Sequence, residues 1–163
     1  MPDLFDEAQN PLPSVAELIR GGWPSRKERL GRAIIAVSLY SGGYDFADGA
    51  KATADNVRHR EYHHVYPKSL IQSNFPDHEV NSALNCALIS WKTNRKIAAK
   101  SPKQYLQERA ADANATEEQV RHRLESHLVP YETLLDGDFR SFIDARASVI
   151  HASLQMLCEG SIP

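Results

Sequence analysis

Two adjacent histidines, His63 and His64, lie near the middle of this 163-residue chain. A neutral imidazole has an unperturbed pKa of about 6.5, so near neutral pH it can accept a proton from water or bind a metal ion. Successive side chains of a strand point to opposite faces, so these two residues are poorly placed to bind one ion together. They therefore suggest a division of labour, with His64 as the candidate base of a hydrolytic reaction.

Two asparagines flank an apolar run that follows the histidines, in the stretch LNCALISWKTNRK over residues 84–96. Asn85 precedes the run, and Asn94 comes nine residues after Asn85. Taken alone, both fit the ordinary positions of Asn in turns and at helix boundaries. Their order after His63-His64-x-x-Pro67 makes the set informative, because such an ordered set would rarely arise by coincidence.

Basic side chains are concentrated around these residues, although the whole chain carries a formal net charge of −2. Segment 58–103 has 8 basic and 3 acidic side chains, whereas segments 1–57 and 104–163 have net charges of −2 and −5. A solvated basic face is the ordinary interpretation of such a cluster. A phosphate-binding surface is the alternative, because polyanion binding rests on clustered Lys and Arg. The clustered side chains are Arg58, Arg60, Lys68, Lys92, Arg95, Lys96, Lys100 and Lys103.

Short runs of aromatic and β-branched residues predict how the histidines and asparagines are positioned. Segments 61–66 and 86–90 have the composition of strands, and they could pair with each other. Ser90 is a suitable cap for a helix that runs to about residue 99, and Ser101-Pro102 starts another helix. The predicted local order is strand, strand, helix.

The flanking parts of the chain predict helices that serve as scaffold. Capping boxes that begin at Ser14, Ser25 and Thr116 each precede a run with helical spacing. The apolar stripe of the last helix is most simply core packing, and the stretch before the first strand is a loop with little evident chemistry. The predicted flanking helices span 14–20, 25–41 and 138–159, and the predicted loop spans 44–57. A further predicted helix begins at Thr116, has Val120, Leu124 and Leu128 on its apolar face, and is closed by Pro130.

Length and composition favour one globular domain, since 42% of the 163 residues are hydrophobic and 25% are charged. The expected fold is α+β and mostly α-helical, with the strand, strand, helix unit embedded in it. The longest apolar run, 33–39, is much shorter than the roughly 20 residues of a membrane span, and the start of the chain is acidic, so we expect a cytoplasmic protein. Cys86 and Cys158 form no C-x-x-C pair, and both are expected to be buried thiols.

The ordered set of histidines, proline and asparagines resembles the signature of the HNH, or ββα-metal, endonucleases. That signature is an acidic residue or His next to a His, then x-x-Pro, a central Asn, and a final His or Asn nine residues later. The separation of Asn85 and Asn94 is the one seen in the HNH domain of the RNA-guided CRISPR nuclease. The resemblance implies a metal-dependent endonuclease built around a ββα-metal unit.

Segment 58–110 is most similar to the HNH half of GmrSD-type proteins, which act in phage defence and modification-dependent restriction. In these proteins an HH-hydrophobic-aromatic-P-K stretch is followed by NRKI and then by SPxxYL, and residues 63–106 fit this pattern. The resemblance implies that 58–110 is the nuclease core. The flanks 1–57 and 111–163 are then helical parts of the same domain.

GmrSD-type proteins usually carry a ParB-like nucleotide-hydrolysing domain before the nuclease, and these 163 residues show no P-loop or other nucleotide-binding signature. The resemblance therefore implies a nuclease fragment of a longer protein or a stand-alone relative, with such a domain or subunit as a partner. DNA is the implied substrate, nicked or cut with little sequence specificity, because contacts to phosphates do not read bases. A catalytically weak nucleic-acid-binding module and an RNA-cleaving relative are the alternatives.

The resemblance also implies a role for each residue of the set. His64 is the base, and Asn85 holds the loop that aims it. His63 and Asn94 are the metal ligands, and two protein ligands suit Mg²⁺ or Mn²⁺, which keep several waters; His63 also makes Zn²⁺ or Ni²⁺ chemically reasonable. The implied nucleic-acid-binding residues are Lys68, Lys92, Arg95 and Lys96.

Two positions depart from the pattern of some family members, and both concern the metal. His63 stands where Asp is frequent, and Ser90 stands where some HNH enzymes have another His. An i, i+4 pair shares one helix face, so Ser90 could touch the site, although a hydroxyl is a poor ligand. Glu61 is either a hydrogen-bond partner of His63 or a surface charge. His59 and His78 match no spacing of family ligands and are expected to be structural.

Overall fold

The computed structural model describes residues 8–97, 100–112 and 115–161. In these residues, nine α-helices and two β-strands are formed, which confirms the predicted α+β, mostly helical fold class. Short 3₁₀ turns at Val57–His59 and Ala83–Asn85 precede the two strands. The elements are α1 Val15–Ile19, α2 Arg29–Ser38, β1 Arg60–His64, α3 Lys68–Ile71, α4 Asp77–Val80, β2 Cys86–Ser90, α5 Trp91–Ile97, α6 Pro102–Asp112, α7 Glu117–Glu125, α8 Tyr131–Asp136 and α9 Phe139–Cys158.

The two strands pair antiparallel, with Arg60 opposite Ser90 and His64 opposite Cys86. The pairing and the bounds of β2 agree with the prediction, and α5 follows β2 without a connecting loop. The first strand ends at His64, two residues earlier than predicted, because the N–H of Tyr66 donates to the side chain of Asn85 rather than to a strand. The predicted order of strand, strand and helix is therefore present.

The connection between the strands, residues 65–85, contains two helices that the sequence did not predict. α3 begins directly after Pro67, and α4 begins directly after Pro76. Proline suits the start of a helix because its ring fixes a helical φ and the N–H it lacks is not needed there. Each helix has only four residues, which is too short for a hydrophobic period to be recognised.

The first predicted capping box forms and the second does not. The N–H of Glu17 donates to Ser14 Oγ at 3.3 Å, and the N–H of Ser14 donates to the Glu17 carboxylate at 2.8 Å. Ser25 instead starts a turn, because its carbonyl accepts from the N–H of Glu28 at 3.1 Å. Glu28 is the actual cap of α2, which is therefore shorter at both ends than the predicted 25–41.

The C-terminal helices follow the prediction in part. The capping box of Thr116 and Gln119 forms at the start of α7. This helix ends before Leu128, which was expected on its apolar face, because Leu128 adopts a positive φ of 53° that is incompatible with an α-helix. α8 after Pro130 was not predicted, whereas α9 matches the predicted last helix and is capped by Asp138.

One hydrophobic cluster combines the flanking helices with the ββα unit of β1, β2 and α5. It includes Leu18 and Ile34 from the N-terminal part, Ile89 from β2, and Phe142 and Ile150 from α9. The apolar stripe of α9 thus packs in the core, as expected. None of the described helices has the length and apolar character needed to cross a membrane.

The two cysteines differ in burial, so the expectation that both are buried is wrong for one of them. Cys86 is fully buried in β2, and burial raises the pKa of its thiol to about 12. Cys158 is exposed, because it belongs to the last turn of α9, where the residues from 155 onward are mostly exposed.

A fully buried arginine on α9, Arg146, ties this helix to the start of β2. Its Nη1 donates to the carbonyls of Leu84 and Cys86 at 2.7 and 2.9 Å. Its Nη2 and Nε donate to the carbonyls of His127 and Leu128 at 2.9 and 3.3 Å. Burial lowers the pKa of Arg146 to about 10, so the guanidinium stays charged at neutral pH and binds main-chain oxygens on two segments.

Candidate active site

A cleft of about 310 Å³ beside β1 and α5 brings together residues that are far apart in the sequence. His63 and His64 come from β1, Lys68 from the start of α3, and Asn94 from the second turn of α5. The predicted base, both predicted metal ligands and one predicted phosphate contact thus share one cleft. Its lining residues are Tyr62, His63, His64, Pro67, Lys68, Ser69 and Asn94.

His63 faces α5 and contacts Asn94 directly. Nδ1 of His63 lies 2.7 Å from Oδ1 of Asn94, and Nδ2 of Asn94 donates to Glu61 Oε2 at 3.0 Å. Glu61 and His63 are two residues apart on β1, so both point to the side where α5 packs. Glu61 is therefore a partner of Asn94 rather than of His63, and its carboxylate orients the amide so that Oδ1 faces the imidazole.

The environment of His63 keeps its imidazole neutral at pH 7. The residue is only 6% exposed, and burial lowers its pKa to about 4, although the hydrogen bond with Asn94 opposes this shift. Nε2 is buried and has no hydrogen-bond partner within the described residues. A neutral imidazole is the form that binds metal ions.

The donor atoms of His63 and Asn94 fit a divalent cation that takes few protein ligands. In this structure Nδ1–H of His63 donates to Oδ1 of Asn94, because an amide oxygen only accepts. With the proton on Nε2 instead, Nδ1 would present a lone pair beside Oδ1, and the two atoms are close enough to be adjacent ligands of one ion. Across the ranges described, no three His, Cys, Asp or Glu residues are grouped so that they could hold a metal. Such a site would rely on water and substrate oxygens for the remaining ligands.

His64 points to the opposite face of β1, where it has two partners. Its ring stacks on Trp23 with a centroid distance of 4.2 Å, and its Nε2 lies 3.0 Å from Oδ1 of Asn81. Because an amide oxygen only accepts, Nε2 carries the proton and Nδ1 keeps the lone pair. Burial lowers the pKa of His64, while the bond to Asn81 opposes the shift, so the imidazole is a neutral proton acceptor at pH 7.

Asn85 lies outside the cleft and holds the connection between the strands. Its Oδ1 accepts from the N–H of Tyr66 at 2.8 Å, and its Nδ2 donates to the carbonyls of Tyr66 and Val80 at 3.1 and 3.0 Å. The side chain is fully buried. It therefore fixes both ends of the segment that carries Lys68 and Asn81, without reaching the cleft itself.

Asp45, in the loop before β1, has a structural role that the sequence did not indicate. This buried carboxylate accepts from the N–H of Ser90 at 2.7 Å and from the hydroxyl of Thr93 at 2.5 Å. Burial alone would raise the pKa of Asp45, but these hydrogen bonds outweigh it and lower the pKa. Asp45 thereby fixes the start of α5, and with it the position of Asn94.

Ser90 and two of the histidines do not reach the cleft. Ser90 Oγ donates to the Thr93 hydroxyl at 3.1 Å and accepts from the Thr93 N–H at 3.4 Å, so it caps α5 and does not touch the site. His59 Nε2 accepts from the neighbouring Arg58 at 3.2 Å. His78 lines a different groove.

The clustered basic side chains lie in several different environments. Lys68 lines the cleft and forms an ion pair with Asp77 at 2.7 Å. Arg60 is not part of a basic surface, because it donates to the carbonyls of Gly43 and Leu88. Lys92 and Arg95 are exposed on α5. Lys96 belongs to α5, but its side chain lies outside the described residues, and Lys100 pairs with Glu108.

A larger groove of about 660 Å³ is lined by the two residues that contact His64. Trp23 and Asn81 both line it, together with Phe139, Arg140 and Ile143 among others. No local spacing in the sequence connects Trp23 or Asn81 to the histidines, so neither residue could be recognised as a part of the site. Their contribution follows only from the way the N-terminal segment and the connection between the strands pack around β1.

No protein-family model, curated protein or solved structure matches this chain. A functional proposal therefore rests on the residues of the cleft and on their contacts. Three features of these residues carry it. They are a neutral imidazole on His64 whose Nδ1 has no hydrogen-bond partner within the described residues, an imidazole and an amide oxygen side by side on His63 and Asn94, and a cation on Lys68.

Proposed function

We propose that this chain is a metal-dependent endonuclease of the HNH type that hydrolyses phosphodiester bonds in DNA. The observation that carries the proposal is that His63, His64 and Asn94 line one cleft, although His64 lies on the opposite face of β1 from His63, on an antiparallel strand pair followed directly by a helix. These three residues are the ones to which the resemblance to HNH endonucleases assigns the base and the two metal ligands. Hydrolysis of a phosphodiester needs a deprotonated water and a positive charge near the phosphate, and the cleft offers groups for both.

His64 acts as the general base in this proposal. Nδ1 accepts a proton from water, while the hydrogen bond from Nε2 to Asn81 keeps the imidazole in the required tautomer. The stacking of Trp23 on the imidazole restricts rotation of the ring. The base is therefore held in one orientation before any substrate arrives.

His63 and Asn94 would hold the divalent cation, with Mg²⁺ or Mn²⁺ favoured and Zn²⁺ or Ni²⁺ also compatible with an imidazole ligand. When bound, the cation supplies positive charge to the phosphate and to the leaving oxygen. Glu61 keeps the amide oxygen of Asn94 turned toward His63. Lys68 is positioned to contact a phosphate in the cleft.

The proposed substrate is DNA, nicked or cut with little sequence preference, since the cations around the cleft contact phosphates and not bases. The similarity of segment 58–110 to GmrSD-type proteins supports a role in cytoplasmic anti-phage defence or restriction, with a ParB-like nucleotide-hydrolysing domain or subunit as a partner. RNA is the alternative substrate, and nucleic-acid binding without cleavage is the alternative function.

The test is conversion of supercoiled plasmid to open-circular or linear DNA by the full chain, in EDTA and in Mg²⁺ or Mn²⁺. We expect metal-dependent cleavage that falls by about 10²- to 10⁴-fold in His64→Ala. His59→Ala is the matched control, because His59 is a histidine of the same segment that does not line the cleft. Full activity of His64→Ala, or of the wild type in EDTA, would contradict the proposal, and competition with RNA of the same sequence identifies the substrate.

A further inference from the structure

Trp91 is a large aromatic side chain that the fold leaves at the surface. It is 45% exposed, although tryptophans are on average highly buried. Among the described residues, six large hydrophobic side chains are exposed, and three of them lie on the ββα unit or in the connection between its strands. These three are Tyr62, which lines the cleft, Leu70 and Trp91.

Two cations lie over the indole ring of Trp91. Nζ of Lys92 lies 5.9 Å from the ring centroid of Trp91, and Cζ of Arg95 lies 5.1 Å from it. Both cations are exposed, and neither forms an ion pair within the part of the chain that is described. An exposed aromatic ring beside unpaired cations matches the chemistry of a nucleotide, which has a flat base and a negatively charged phosphate.

The exposed ring of Trp91 and its two cations lie next to the cleft. Trp91 is the first residue of α5 and Asn94 lies one turn later, so their Cβ atoms are about 5–6 Å apart. Asn94 lines the cleft. A strand whose phosphate lies in the cleft therefore has a neighbouring nucleotide within reach of the indole ring.

We propose that Trp91 stacks on an unpaired base of the strand in the cleft, while Lys92 and Arg95 contact that strand's phosphates. This rests on the proposed nuclease function and specifies its substrate. Bases in an intact duplex have both faces covered by neighbouring bases, so an aromatic side chain can stack only on a base that is single-stranded or extruded. The preferred substrate is therefore DNA with a single-stranded region, such as a frayed end, a gap or a branch.

The test measures binding without cleavage, using the full chain in EDTA at low salt. The probes are a fluorescein-labelled oligo(dT) of about 15 nucleotides and a labelled duplex of the same length, both followed by anisotropy. We expect Trp91→Ala to weaken oligo(dT) binding by about 5- to 100-fold, as loss of one stacked base would, and to change duplex binding by less than about 3-fold. Trp91→Phe should restore most of the affinity, because it restores an aromatic face. Tyr40→Ala is the matched control, since Tyr40 is an exposed aromatic, 52% exposed, outside the ββα unit.

Each outcome bears on one proposal. Unchanged oligo(dT) binding by Trp91→Ala, an equal loss for oligo(dT) and duplex, or no binding by the wild type would overturn the stacking site. Selective loss that Trp91→Phe restores would support the stacking site even if the chain left plasmid uncut. In that case the nuclease function would fail and the stacking site would remain.

Discussion

Nε2 of His64 lies 3.0 Å from Oδ1 of Asn81, although the two residues belong to different elements, β1 and the end of α4. This hydrogen bond decides which imidazole nitrogen carries the proton. It leaves Nδ1 as the basic atom. The side chain that accepts this hydrogen bond, Asn81, belongs to the connection between the strands. The orientation of the proposed base is thus set by the folding of that connection.

Replacing Asn81 should therefore lower cleavage without removing any group of the cleft. We expect Asn81→Leu to reduce the rate of plasmid nicking by about 10- to 100-fold, because the imidazole loses the acceptor that fixes its tautomer. Asn81→Asp keeps an oxygen at the same place and should retain most of the activity. Equal rates for Asn81→Leu and the wild type would show that the bond has no role in cleavage.

The carboxylate of Glu61 should control the response to metal. Glu61→Ala frees the amide of Asn94 to rotate, so the Mg²⁺ or Mn²⁺ concentration for half-maximal cleavage should rise by about 10- to 100-fold. Glu61→Gln still offers an oxygen to Nδ2 of Asn94 and should stay closer to the wild type. A metal titration of the cleavage rate gives both values, and identical midpoints for Glu61→Ala and the wild type would contradict the role.

Removal of the buried guanidinium of Arg146 should strongly destabilise the folded protein. Arg146→Met leaves four carbonyls without their donor, and we expect the free energy of unfolding to fall by about 3 kcal/mol or more. Arg140→Met on the same helix is the control, because Arg140 is exposed and its ion pair with Glu79 is at the surface. Urea unfolding measures both, and comparable losses for the two variants would contradict this account.

His127 should make stability depend on pH. It is fully buried, donates from Nε2 to the carbonyl of Tyr44 at 2.9 Å, and burial lowers its pKa to about 3. Below the ordinary histidine pKa of about 6.5, His127 becomes protonated in the unfolded chain but stays neutral in the folded chain. The free energy of unfolding therefore falls as the pH falls. The contribution of His127 to this loss is about 1.4 kcal/mol per pH unit between pH 6 and 4.

Urea unfolding at several pH values tests this. His127→Gln cannot be protonated, so its stability should fall with decreasing pH less steeply than that of the wild type, by the equivalent of one proton. His122→Gln is the control for the loss of a histidine from an exposed position. Parallel curves for His127→Gln and the wild type would show that His127 does not carry the effect.

The parts of the fold that the sequence could predict are those whose cause is local. The Ser14 and Thr116 capping boxes act over three residues, and both form. The paired strands at 60–64 and 86–90 follow from their composition and from the residues that bound them. The capping box at Ser25 failed because a turn at the same residues competes with the helix, and the pattern does not distinguish the two.

The contacts that complete the site depend on distant packing. Asp45 binds Ser90 and Thr93 across 45 residues or more, and Trp23 reaches His64 from the segment between α1 and α2. A buried aspartate in a loop resembles any turn aspartate until its partners are known. The sequence identifies the residues that could react, whereas the residues that hold them in place become apparent only in three dimensions.

The hydrogen bonds of Arg146 mean that the ββα unit depends on α9 and is not an independent unit that could be moved to another protein. Its guanidinium comes from α9 and binds the carbonyls on either side of Asn85, the residue that fixes the connection carrying Lys68 and Asn81. Moving residues 58–110 into another scaffold would therefore transfer the histidines and asparagines but leave behind the cation that anchors their framework. A minimal version of this protein has to retain its last helix.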